Sequence, residues 1–270
     1  MMRSARILLA CCALASAQAA ETAAERGKRV VQEAIQALGG DAFLKMEDRL
    51  EYGRAYSFYR SQITGLSVAR IYTRYLSAAG PGKLQVRERE AFFSGTGRRE
   101  EGAAVLFTPE GAWELTYHGA LPLTDQRYQN YTDSTERSIF YILRCRLSEP
   151  GLEYYSLGSD RFENHPVEIV DITDAAGETV TAYFDQFDKV PIRQTFKRRN
   201  PQFKDFDTEV SIFAKYRDIG GGVKWPYDVR RERNGEKIYE MYSESVEINK
   251  NLTDDLFTLP PDMKVLPKPK

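Results

Sequence analysis

Few side chains in this sequence have the types and spacings that do chemistry. The two histidines are His118, in Tyr-His-Gly, and His165, in Asn-His-Pro. Both sit among turn formers. Neither has a second histidine or a cysteine at ligand spacing, so no transition-metal site is expected. Cys145 lies between Arg144 and Arg146, whose charges would lower a thiol pKa. A nucleophilic thiol also needs a base, and the sequence shows none beside it, so a half-buried helix cysteine is expected. No Gly-x-Ser-x-Gly elbow occurs. Gly220-Gly221-Gly222 is not followed by a helical pattern and reads as a turn, not a phosphate cradle. Asp254-Asp255 is one loose acidic pair, better suited to start a helical turn than to hold calcium. Asn130-Tyr131-Thr132 and Asn251-Leu252-Thr253 match the glycosylation pattern, which matters only in a glycosylating source. No catalytic residue, no metal and no cofactor are therefore expected.

The elements around these residues are mostly strands. From Glu209 to Ile248 the chain reads as three strands folded back and forth. Val210, Ile212, Ala214 and Tyr216 alternate with polar or mixed neighbours, and Val223, Trp225, Tyr227 and Val229 with Lys224, Pro226, Asp228 and Arg230. Asp218 to Gly222 reverses the chain, and Asn234-Gly235 is a strong hairpin signal because both residues tolerate φ > 0. A sheet with one apolar face must cover that face or put something on it.

Period two also governs Leu50–Phe58, Val68–Leu76, Lys83–Phe93, Ala104–Thr108, Ala112–Tyr117, Tyr154–Gly158, Phe162–Asp171, Thr179–Asp185 and Pro191–Lys197. With the three above, these nine segments make twelve strands, joined by short turns that imply antiparallel neighbours. Two stretches are helical. Glu21–Met46 carries Val30, Val31, Ala34, Ile35 and Leu38 at helical spacing, with a break at Gly39-Gly40 and a short second helix capped by Asp41. In the middle, Asp133 with Glu136 three residues on reads as a helix start, followed by the stripe Ile139, Phe140, Ile142, Leu143 and Leu147. Lys197-Arg198-Arg199 and Arg230-Arg231-Arg233 are basic clusters at strand ends, read first as solvated edges and otherwise as contacts for lipid headgroups or an acidic partner.

The first residues read as a targeting signal. Arg3 and Arg6 precede the apolar run Ile7–Leu14, which is too short to span a bilayer, and Ala17-Gln18-Ala19 fits a cleavage site. The expected organisation is a signal over 1–19, one domain over 20–260 and a flexible Pro/Lys-rich tail over 261–270. The alternative is a lipoprotein anchored through Cys11. Loss of Arg3 and Arg6 takes the formal charge from −1 to −3, a near-neutral balance that gives no reason to expect nucleic acid. Cys11 and Cys12 would leave with the signal, so the expected exported chain rests on its core and not on an internal disulfide.

The later half resembles a known family. Tyr183-Phe184-Asp185, Val190-Pro191-Ile192-Arg193, Phe213-Ala214-Lys215-Tyr216-Arg217-Asp218 and Gly222-Val223-Lys224-Trp225-Pro226 follow one another as in outer-membrane lipoprotein-sorting proteins of the LolA/LolB type. Asn234-Gly235-Glu236-Lys237 and the closing Ile248-Asn249 to Pro260 continue the pattern. The resemblance covers roughly residues 180–260, and the earlier half matches in layout. It implies an α+β fold of mainly β type: an incomplete, strongly curved antiparallel barrel wrapped around an N-terminal and a mid-chain helix. It also implies a non-enzymatic periplasmic carrier or binder of a lipid or acylated protein, with a membrane or membrane-protein partner. A sensor that binds proteins on the same fold is the alternative.

A curved sheet with an amphipathic helix on its inner face makes an apolar pocket, and each buried methylene of an acyl chain contributes about 0.8 kcal/mol there. The residues expected to line it are Trp113, Ile139, Phe140, Leu143, Leu147, Phe184, Trp225 and Tyr227. The mid-chain helix is then either a movable cover or a fixed plug.

Overall fold

The period-two segments build a single antiparallel sheet. The computed structural model describes residues 20–77, 82–93, 101–200 and 202–269. The expected signal over 1–19 lies outside these residues. The strands are β1 Asp48–Tyr59, β2 Gln62–Tyr75, β3 Val86–Phe93, β4 Ala103–Thr108, β5 Gly111–Thr116, β6 Gly119–Pro122 and β7 Glu153–Phe162. They continue as β8 His165–Thr173, β9 Thr179–Asp185, β10 Pro191–Arg199, β11 Phe206–Asp218, β12 Lys224–Arg233 and β13 Glu236–Ile248. Thirteen strands thus replace the twelve expected; the four-residue β6 is too short to show a period. The spatial order is β6-β5-β4-β3-β2-β1-β13-β12-β11-β10-β9-β8-β7, so β1 pairs with β13 and the sheet stays open, with β6 and β7 as edges.

Local chemistry sets the bends. Asn234 and Gly235 take φ of 51° and 81°, the left-handed pair that turns β12 into β13. The ladder slips by one residue between Tyr52 and Gly53. A Cβ at Gly53 would stand 2.2 Å from the Tyr242 carbonyl oxygen, so only glycine lets β1 and β13 close at this bulge.

The first helix, α1 Ala23–Leu38, is closed at its start by a capping box between Thr22 and Glu25. It buries Val30, Val31, Ala34, Ile35 and Leu38 and ends at Gly39, φ 124°. The short α2 spans Asp41–Leu44; Asp41 is its first residue, pairing with Lys45 at 2.7 Å, and not its cap.

The mid-chain helix differs more from expectation. It is two pieces, α3 Asp125–Glu136 and α4 Ile139–Tyr141, the latter running on as a π-helical turn over Ile142–Arg146. Thr124 caps α3 by accepting from the Arg127 N–H at 3.3 Å, and Asp133 lies inside α3's final turns. Asp125–Tyr131 has no apolar stripe, so periodicity passed over it, and the Asp133–Glu136 spacing mimicked a start.

The sheet curls around α1 and α4. Its concave side holds the main core, which includes Phe43, Ile139, Leu143, Phe184 and Trp225. A second core, with Phe93, Leu106, Leu115 and Phe257, lies on the convex side of β3–β6. The chain after β13 covers it, through a 3-10 turn over Asp254–Phe257. Lys264–Leu266 then bridges to β6: Ala120 N–H donates to the Lys264 carbonyl at 2.9 Å and Leu266 N–H to the Ala120 carbonyl at 2.8 Å.

Candidate functional site

The concave face carries the side chains expected to bind a ligand, and it divides into two zones. In the apolar zone, the extended Ser138 (φ −69°, ψ 127°) aims α4 into the sheet. Ile139, Phe140 and Leu143 are buried there with Phe184, Trp225 and Tyr227, and Leu147 packs against them partly buried. Phe140 meets Phe213 edge-on at 5.0 Å and Trp225 at 4.6 Å. Seven of the eight expected residues therefore share one cluster. Trp113 does not join them. It pairs with Leu106 of β4, whose side chain belongs to the convex core, so alternation puts it on the opposite face.

The second zone is charged, which no sequence signal suggested. Arg49 on β1 is buried, stacks on the Trp225 ring at 4.2 Å, donates to Glu51 at 2.6 Å and to Thr73 at 3.0 Å. Ser243 donates to the other Glu51 oxygen, and Thr73 donates to Glu88 at 3.2 Å. Glu90 stands two residues from Glu88 on β3, on the same face. Burial pushes Glu88 up, and it pushes Glu90 up to about 7 with help from the neighbouring Glu88 charge.

α3 lies over this charged zone. It contributes no fully buried residue. Tyr131 stacks on Phe107 with centroids 3.7 Å apart, and Phe107 pairs with Glu88 across β3 and β4. Tyr128 Oη donates to the Thr108 carbonyl at 2.6 Å. Arg198, expected as a solvated edge or a lipid contact, points inward. Its guanidinium donates to the Asn130 carbonyl at 3.0 Å and to Ser134 Oγ at 2.5 Å, beside Glu209 at 3.5 Å. Gln194 spans the break between the helices: its Oε1 accepts from Ile139 N–H at 2.7 Å and its Nε2 donates to the Arg137 carbonyl at 3.0 Å. Spacing could not find Arg49, Gln194 or Arg198, since their partners lie on other elements.

At the far end of the concave face, α2, Ile219-Gly220-Gly221 and Ile248-Asn249 border an open crevice of about 400 Å³.

The residues that could have done chemistry are engaged elsewhere. Burial pushes the Cys145 thiol up, outweighing Arg144, so it lacks thiolate character. Arg144 donates to the Met46 carbonyl and lies 4.2 Å from the Tyr75 ring. Arg146 pairs with Glu149 and Asp174. His165 opens β8, where a turn was expected, and its Nδ1 is 3.0 Å from Asp185. Asp254 pairs with Arg74 and Arg87. Among the described residues, no group of three or more His, Cys, Asp or Glu is placed to hold a metal ion.

An open antiparallel sheet curled around an N-terminal helix and a mid-chain helix is the LolA-like fold. Solved structures share it. A domain assigned to outer-membrane lipoprotein sorting, from Vibrio parahaemolyticus, superposes with a TM-score of 0.58 over 87% of this chain and 97% of its own, at 12% identity. A DUF1329 family protein from Desulfovibrio piger gives 0.50 over 86% and 97%, at 10% identity. A LolA superfamily protein from Nitrosomonas europaea gives 0.50 over 86% and 97%, at 12% identity. No protein-family profile and no curated sequence matches the chain.

Proposed function

We propose that the protein is a non-enzymatic, periplasmic carrier or binder of a lipid or acylated protein, held between the concave face and α3. The observation that carries this reading is the contrast between the two mid-chain helices. α4 is locked into the core, whereas α3 buries none of its residues fully and rests on the sheet through polar contacts and two partly buried tyrosines, Tyr128 and Tyr131, packed against Phe107 and Leu123. Lifting α3 costs hydrogen bonds that water replaces, at a net of about 1 kcal/mol each, and the packing of two tyrosines that are only partly buried. Lifting α4 would expose a fully packed core. α3 is thus the cover, and α4 with Leu143 is the plug. Acyl chains would lie along Phe140, Trp225 and Tyr227 at the border of the apolar zone, with the polar head toward Glu88, Glu90 and Arg49. The likeness to a lipoprotein-sorting domain agrees with this reading at the level of fold.

Native mass spectrometry of the protein purified without detergent from lipid-containing cells tests it. Discrete added masses that extract as lipid support the carrier. A mass equal to the bare chain, together with stoichiometric capture of one defined protein, would favour the second reading, a protein-binding sensor. That second reading has one observation of its own: β7 is an edge strand, and it exposes Tyr155 and Leu157.

A further inference from the structure

We infer that one rim of the sheet is a docking surface for an anionic lipid bilayer, whatever the concave face holds. Five neighbouring strand steps, from β2 through β1, β13, β12 and β11 to β10, bring the β1–β2 turn, the β12–β13 turn and the β10–β11 loop to the same end of the sheet. At about 4.8 Å per step this rim is roughly 24 Å long. Four large apolar side chains stand out along it: Tyr59 at 64% exposure, Ile63 at 61%, Phe203 at 67% and Phe206 at 58%. Scattered single exposures are ordinary; these come as two pairs, Tyr59 with Ile63 and Phe203 with Phe206, on the outer two of the three turns, with the β12–β13 turn between them.

The charges on the same turns complement anionic headgroups. Arg60, Lys197, Arg199 and Lys204 are exposed there, against the exposed acids Asp205 and Glu236. No ion pair among the described residues involves any of the four cations. Arg233 and Lys237 are taken by Glu209 and Glu240. Basic side chains around aromatic and aliphatic ones form the pattern that seats a protein in the headgroup layer, and each cation adds roughly fivefold to the affinity for an anionic surface.

The β1–β2 turn adds a third observation. Arg60 and Ser61 take φ of 49° and 62°, a two-residue turn in which both positions favour glycine or asparagine. Glycine at position 60 would relieve the strain and lose the cation. The chain instead keeps an arginine at the outermost point of the hairpin, 5.2 Å from the Tyr59 ring.

Vesicle flotation tests the inference, using the purified protein with phosphatidylcholine vesicles that contain or lack phosphatidylglycerol. We expect flotation only with phosphatidylglycerol, weakened by salt as the charges are screened. Ile63→Asp/Phe203→Asp should cut binding at least tenfold, and Arg60→Glu/Lys204→Glu likewise. All four side chains are solvent-exposed, so thermal melting should stay within a degree or two of the parent, which separates lost docking from lost folding. Flotation of the apolar double variant equal to the parent overturns the inference. So does binding that ignores phosphatidylglycerol, or no flotation by the parent. Since vesicle association is read without cargo, its failure leaves the bound-lipid experiment standing, and the converse also holds.

Discussion

Leu143→Asp separates a plug from a cover within one short helix. Leu143 is fully buried in the π-helical turn, in the same cluster as Phe184 and Trp225. Removing its side chain to the β-carbon costs about 2–5 kcal/mol in lost transfer and cavity. Burying a carboxylate with no partner adds several kcal/mol more, whether the group stays ionised or is forced to take up a proton. The total, about 5 kcal/mol or above, rivals the whole stability of a typical domain. The assay is urea unfolding followed by tryptophan fluorescence, which reads the buried Trp225, in parallel with titration of a fluorescent fatty acid. We expect a collapse of the unfolding midpoint, with probe binding lost in step with the folded fraction. The reasoning fails if Leu143→Asp melts cooperatively within about 1 kcal/mol of the parent and yet loses the probe. In that case α4 is the moving part, and the division of roles between α3 and α4 is wrong.

Arg198→Met removes the bonds that hold α3 at Asn130 and Ser134, and should cost about 2 kcal/mol. Hydrogen exchange should speed up across α3 while α1 keeps its protection; equal loosening of both would show that Arg198 stabilises the whole fold and not the cover. The Glu90 carboxyl titrates near 7 when folded and near 4.5 when free, so the fold favours its protonated form. Stability from this group is therefore full below about pH 4.5, falls as pH rises and is gone above 7. Glu90→Gln should gain about 3 kcal/mol over the parent at pH 8, a gain that fades toward pH 4.5 in denaturant titrations at both pH values. Gly53→Ala forces a methyl against the Tyr242 carbonyl and should lower stability by about 3 kcal/mol, measured by thermal melting; an unchanged melt would mean the β1–β13 bulge relaxes freely.

The sheet was legible in the sequence because alternation survives wherever one face is buried. Val223–Val229 and Asn234-Gly235 carried both strand and turn on their own. The apolar members of the candidate site were legible for the same reason, since Ile139, Phe140 and Leu143 recur at helical spacing. What could not be read is which strands share a face. Trp113 alternates as cleanly as Trp225, but the parity of β5 relative to β12 is set by registers and bulges across six intervening ladders, and it comes out opposite. The charged zone was hidden for a related reason. Arg49, Glu51 and Glu88 look like solvent-facing members of amphipathic strands until the sheet curls and turns that face inward. α3 was missed because its attachment to the sheet is mostly polar, and polar residues at helical spacing resemble a loop.

The pairing of β1 with β13 has a consequence for how the chain reaches this state. Arg49 faces Ile248, about 200 residues later, across a ladder at the centre of the sheet. At the usual pace of synthesis, roughly 5–20 residues per second, β1 exists for some ten to forty seconds before its partner does. During that interval the β1–β2–β3 meander can form, but its inner edge offers a row of unpaired amides and carbonyls to any passing strand. The last long strand to emerge is therefore the one that joins the two halves. Closure depends on a contact of very high sequence separation, the kind that folds slowly. A chain truncated before Glu236 should not yield a smaller stable half-barrel. It should yield two meanders with adhesive edges, prone to pair with each other or with neighbouring chains.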